Sequence, residues 1–102
     1  MLIILSKFPS MSDYESLVKL ISNAAEKGES VALLHIQDAC IAVTLDRYLK
    51  KVVLSGIDVY VLKEDCEARG LLEKIKNKVR TVDYEGWVNL VMNKHDKIVS
   101  WT

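Results

Sequence analysis

Short apolar runs rich in β-branched residues recur at residues 2–5 (LIIL), 31–36 (VALLHI) and 57–62 (IDVYVL), with weaker ones at 79–82 (VRTV) and 97–101 (KIVSW). The first two are continuous rather than alternating, as in strands covered on both faces. Between the runs the apolar period lengthens. Tyr14, Leu17, Val18, Ile21, Ala24 and Ala25 fall on one helical stripe, which predicts an amphipathic helix over about residues 13–27. Ser12, with Glu15 three residues on, reads as a capping box, and Gly28 as the stop signal.

A second helix is expected over about residues 39–54, with Asp38 as its N-cap, Ser55 and Gly56 after it, and Ile41, Leu45, Tyr48, Leu49 and Val52 as its buried stripe. The acids Glu64 and Asp65 suit a helix start. Gly70 then interrupts, and Leu72, Ile75 and Val79 continue an apolar face, so this connection reads as two short helical pieces. Asp83 caps a last helix whose stripe is Trp87, Val88, Val91 and Met92, which gives way near His95 to the final strand.

Strands alternating with helices at this spacing imply an α/β fold, a three-layer sandwich in which a mostly parallel five-stranded sheet carries helices on both faces. Flavodoxin-like topology, with strand order 2-1-3 at its centre, is the expected arrangement. Residues 1–102 read as a single domain, since no linker, repeat or low-complexity tract divides them.

Fourteen basic and fourteen acidic side chains cancel, leaving no net field to hold a polyanion and arguing against direct nucleic-acid binding. The opening MLIIL is too short for a membrane span or a signal-peptide core. A cytoplasmic, soluble protein is expected. In that compartment Cys40 and Cys66 are free thiols rather than a bridge.

Chemistry on an open α/β sheet gathers at the carboxyl ends of strands, which points to the loops at 6–12, 37–40 and 63–66. The first contains no glycine, against both a dinucleotide fingerprint and a Walker loop, so no cofactor is expected. His35 and His95 lack a second ligand at metal-binding spacing, so no metal is expected either. His35 reads as a hydrogen-bonded core histidine or a partner-facing one.

Both cysteines follow a strand near a helix start, where the dipole lowers a thiol's pKa. Cys66, however, lies among Glu64, Asp65 and Glu67, with Arg69 as the nearby cation, and like charge opposes a thiolate. With strand one between strands two and three, the two cysteines would be about 9–10 Å apart, beyond the ~7 Å Cα limit of a disulfide. On a helical wheel Cys40 falls away from the apolar stripe, which makes it a candidate interface residue. Tyr84, Trp87 and Trp101 are candidates for core or interface. Trp87 lies on the apolar stripe, and Trp101 is the better interface candidate.

The segments LLHIQDA (33–39), LKEDCEARGL (62–71) and VDYEGWVNLV (82–91), followed by Trp101, resemble in this order the H-type subunit of the DsrE/DsrF/DsrH superfamily, the TusB/DsrH-like family. The resemblance spans nearly the whole chain. It implies a DsrE-like fold and a non-catalytic subunit of a TusBCD-like or DsrEFH-like complex, with C-type and D-type (or F-type and E-type) paralogues as partners. Such a complex passes persulfide sulfur toward tRNA wobble 2-thiouridine formation or serves sulfur oxidation. H-type members from sulfur oxidisers often carry a first-helix cysteine, whereas this chain has Leu17 and Val18 in that helix, which favours the non-catalytic role. The family commonly has leucine at the position of Cys66, implying a packing residue there. Two alternatives stay open: a persulfide carrier using Cys66, with Arg69 supporting its thiolate, and a stand-alone homo-oligomeric binding protein.

Overall fold

The five apolar runs become strands β1 (Leu2–Leu5), β2 (Ala32–His35), β3 (Asp58–Leu62), β4 (Arg80–Val82) and β5 (Ile98–Trp101). Helices α1 (Met11–Glu26), α2 (Asp46–Val53), α3 (Lys63–Ala68) and α4 (Tyr84–Asn89) lie between them, with 3-10 segments at Gln37–Thr44 and Leu72–Lys74 and a π-helical turn at Leu90–Lys94. The computed structural model describes residues 1–7, 11–53 and 56–101. The Pro9 loop and Ser55 lie outside them. Because α1 begins at Met11, Ser12 lies within its first turn and not at its cap.

All pairings are parallel and the strand order is β4-β3-β2-β1-β5. The sheet is α/β as expected, but the 2-1-3 order is not what forms. β2 and β3 are direct neighbours, joined from Ala32↔Asp58 to His35↔Val61. Four strands are laid down in one direction, and only then does the chain return past β1 to place β5.

That order decides the layers. Right-handed crossovers made in one direction put their helices on one face, and a crossover in the opposite direction puts its helix on the other. The larger core accordingly joins Ile3, Leu5, Leu33, Val59 and Val61 of the sheet to α1, α2, α3 and the longer 3-10 segment. The opposite face offers Leu2, Ala32, Leu34 and Tyr60, and among the described buried residues only Leu90 of the last connection meets them. Three connections cover one face; a single short one covers the other.

The second helix forms in two pieces. A 3-10 segment runs to Thr44, Leu45 is extended, and α2 follows. Three residues per turn replace 3.6 in the first piece, so its pairs Ala39/Ala42 and Cys40/Val43 turn inward while Ile41 is 43% exposed. Leu45 is exposed as well; Tyr48, Leu49 and Val52 are buried as expected. Asp38 lies inside the segment, whose cap position is taken by Ile36. Cys40, expected on the outer side, has no exposed surface. It has no surface to offer a partner.

The last helix departs similarly. Asp83 caps α4 as expected, its Oδ1 accepting from Gly86 N–H at 2.8 Å. Val88 of α4 faces outward; the π-helical turn then shifts the phase, and within it Leu90 is buried and Met92 faces outward.

Candidate functional site

At the carboxyl ends of β2 and β3 the segments LLHIQDA and LKEDCEARGL interlock. His35 is fully buried. Its Nδ1 lies 2.9 Å from the Tyr60 carbonyl, which can only accept, so Nδ1 carries the proton. Nε2 is then the acceptor for the Tyr48 hydroxyl at 2.7 Å. Burial pushes the imidazole pKa down from 6.5 to about 4, partly opposed by the bond to Tyr60. The ring is neutral at neutral pH and both its nitrogens are engaged, so it has no free role in proton transfer.

Just beyond it Gln37 adopts φ 51°, a left-handed conformation that a non-glycine residue holds only when its surroundings impose it. The constraint is visible: Gln37 N–H donates to Asp65 Oδ2 at 2.6 Å. Arg69 completes the link, pairing with Asp38 at 3.2 Å and donating to the Asp65 carbonyl at 3.4 Å. Polar groups of one motif are therefore partners for those of the other.

Cys66 sits at the centre of this lock. In α3 it is the residue whose carbonyl accepts from Leu71 N–H at 2.9 Å, while the Glu67 carbonyl accepts from Gly70 N–H at 3.1 Å. These two bonds define a Schellman stop, whose glycine takes the left-handed conformation and whose flanking side chains share an apolar contact. Gly70 has φ 65°, Cys66 is wholly buried, and Leu71 packs on the same core. The EARGL sequence is thus a helix terminator with its own apolar anchor. A Cβ at Gly70 would meet no atom within 4 Å, so Gly70→Ala is expected to cost about 1–2 kcal/mol through the left-handed backbone alone. A urea titration reads that shift; Gly70→Asn is expected to cost less.

The two thiols meet here. Cys40 and Cys66 are both fully buried in one core cluster, and each acts on the other's thiol. Burial, and then the neighbouring Cys66, pushes Cys40 up to about 12. Burial also raises Cys66, although the neighbouring Cys40 thiol and the charge of Arg69 act in the other direction. The expected separation of about 9–10 Å assumed β1 between β2 and β3, and that strand order does not form. Neither sulfur is placed to receive a bulky electrophile at neutral pH.

The crevice between β3 and β4, where successive helices leave to opposite faces, is bridged by Glu64, whose Oε2 accepts from Tyr84 N–H at 3.2 Å. Among the described residues no cluster of three or more His, Cys, Asp or Glu side chains could hold a metal.

The accessible feature lies on the sparsely covered face. Tyr84, Trp87, Val88, Val91 and Met92 form one wall, Ile4 and Ile98 the floor, of a groove of about 540 Å³ with an apolar lining. Met92 is 73% exposed, Val88 61% and Tyr84 53%, and the Tyr84 ring stacks on Trp87 with centroids 6.5 Å apart. A contiguous apolar patch of this kind marks a contact surface more often than chance exposure does.

The family model described as DsrH-like protein matches residues 10–97. The chain belongs to the DsrH-like family. Protein TusB of Escherichia coli O81 is 36% identical to it over 102 residues, covering 99% of this chain and 100% of that protein. Protein TusB of Photorhabdus laumondii is 36% identical over 91 residues, covering 88% and 93%. In fold, the DsrH-like chain superposes on the crystal structure of the YchN protein from E. coli with a TM-score of 0.76 over 98% of this chain and 97% of that one, at 13% identity. That likeness concerns the fold alone.

Within the DsrH-like frame, the residues singled out in the sequence separate. Cys66, Arg69 and Cys40 are gathered at one junction, yet Arg69 is engaged by Asp38 and both thiols are enclosed. Trp101 sits on the edge strand β5, half-buried against the larger core, away from the groove. Val88 and Met92 are the exposed apolar residues that the helical stripe mistook for core, and Tyr84, a candidate for core or interface, is exposed beside them. The only hint of them in the sequence is that this stripe is served by one short helix.

Proposed function

We propose that this chain is a single-domain, non-catalytic, cytoplasmic subunit of a sulfur-relay complex, docking on C-type and D-type paralogues that carry persulfide sulfur toward wobble 2-thiouridine in tRNA. The observation that carries the reading is the apolar groove on the thinly covered face of the sheet. A parallel sheet is stable with both faces covered, and the half of this face beside β5 is left to a partner. Family membership supplies the kind of partner: subunits of related fold, with complementary apolar surfaces. Enclosure of both thiols supports a structural rather than a sulfur-carrying part. No helix among the described residues is long and apolar enough to cross a membrane.

Co-expression with C-type and D-type paralogues of the same genome is expected to give a complex that co-elutes on size exclusion. A chain that elutes only as a monomer beside them, or only as a homo-oligomer, would count against the proposal. The rival reading, Cys66 as persulfide carrier, has a separate test. After incubation with a cysteine desulfurase and cysteine, native protein is expected to show no one-sulfur adduct on Cys66 by mass spectrometry.

A further inference from the structure

Two cysteines from different motifs, separated by 25 residues of sequence, lie in one core cluster, on segments that follow the neighbouring strands β2 and β3 and that Gln37–Asp65 and Asp38–Arg69 hold together. Burial alone does not account for the pairing, since alanine or valine would pack in either place. Each position is well defined: Cys40 is held by the 3-10 segment after β2, and Cys66 by the Schellman stop of α3 after β3. The Cys40 thiol, 3.7 Å from the His35 carbonyl, can turn its proton to that oxygen or toward Cys66.

We propose that Cys40 and Cys66 are an oxidisable pair, which a small two-electron oxidant converts to an intramolecular disulfide stapling the end of β2 to α3. With an azo oxidant such as diamide, the Cys66 thiolate adds to the N=N bond, forming an S–N bond. Cys40 then attacks that sulfur as it loses its proton. The S–S bond forms, the S–N bond breaks, and the hydrazine leaves with two electrons and two protons. The order can be reversed without changing the product, since either thiolate can add to the azo bond and the other thiol then attack that sulfur. Access to the buried sulfurs comes through local opening of the junction, so the reaction is slow on the folded protein and depends on the oxidant being small. The resulting covalent tie would join the same two segments that Gln37–Asp65 and Asp38–Arg69 already hold.

The experiment uses the whole chain at neutral pH. It is treated with diamide under native conditions, denatured in N-ethylmaleimide and analysed by intact mass and non-reducing peptide mapping. The expected product is a monomer that has lost two hydrogens, takes up no maleimide, yields a Cys40–Cys66 peptide and returns to two free thiols with dithiothreitol. Its Tm is expected to exceed that of the reduced form, because a closed loop restricts the unfolded chain. Cys40→Ala and Cys66→Ala are expected to give no intramolecular product. If wild-type protein keeps both thiols free while a denatured control oxidises, or forms mainly intermolecular dimers, the pairing is overturned. A disulfide that lowers the Tm would overturn the staple.

Discussion

Lowering the pH from 7 to 4 is expected to remove about 3 kcal/mol of folding stability through His35 alone, roughly a hundredfold in the folding equilibrium. The folded-state pKa is about 4, against 6.5 for the solvated imidazole of the unfolded chain. Between those values the unfolded chain binds a proton that the folded one refuses, so stability falls with pH. The contribution is fully present above 6.5 and lost as pH drops through 4. The cause is local. Protonation would place a charge in a site without exposed surface and convert Nε2 from an acceptor into a donor facing the Tyr48 hydroxyl. Urea midpoints at several pH values measure the slope. His35→Gln, which keeps a donor and an acceptor but cannot titrate, is expected to start less stable at pH 7 and to have a flatter profile between 6.5 and 4. Parallel profiles for the two proteins would remove His35 as the cause. Tyr48→Phe leaves Nε2 without that donor and is expected to cost about 1–3 kcal/mol at pH 7.

The second large effect concerns assembly. Val88→Glu combined with Met92→Glu is expected to weaken association with the paralogous subunits by about a hundredfold or more, because each carboxylate buried unpaired costs several kcal/mol. The isolated chain should scarcely notice, since both side chains are mostly exposed and surface changes of this kind fall within about 0.5 kcal/mol. Leu90→Ala provides the contrast: it lies two residues away from each but is buried, and its loss should cost about 2–5 kcal/mol of folding stability. Size exclusion with the paralogues, set beside urea denaturation of each variant, separates the two roles. Co-elution preserved in the double glutamate variant would remove this groove from the interface.

The strands were legible from short apolar runs, because a fully covered parallel strand has no polar alternation to obscure it. Asp83 and Gly70 were legible too, since capping chemistry is local and acts through neighbouring backbone groups. Cys40 was misplaced because a helical wheel assumes 3.6 residues per turn and this segment turns in three. Met92 was misplaced because a π-helical turn shifts the stripe after Asn89. Neither helix type announces itself in residue spacing.

By itself, then, the sequence determined the family, the alternation of strand and helix, and the local stops and starts, all of which depend on side chains near one another along the chain. Only the tertiary structure decided the order β4-β3-β2-β1-β5, and with it which residues from distant segments meet. That order seats Cys40 against Cys66 and leaves one face of the sheet to a single short helix. Which strands become neighbours depends on the direction of each crossover, a choice made by packing over the whole sheet rather than by any one stretch of residues.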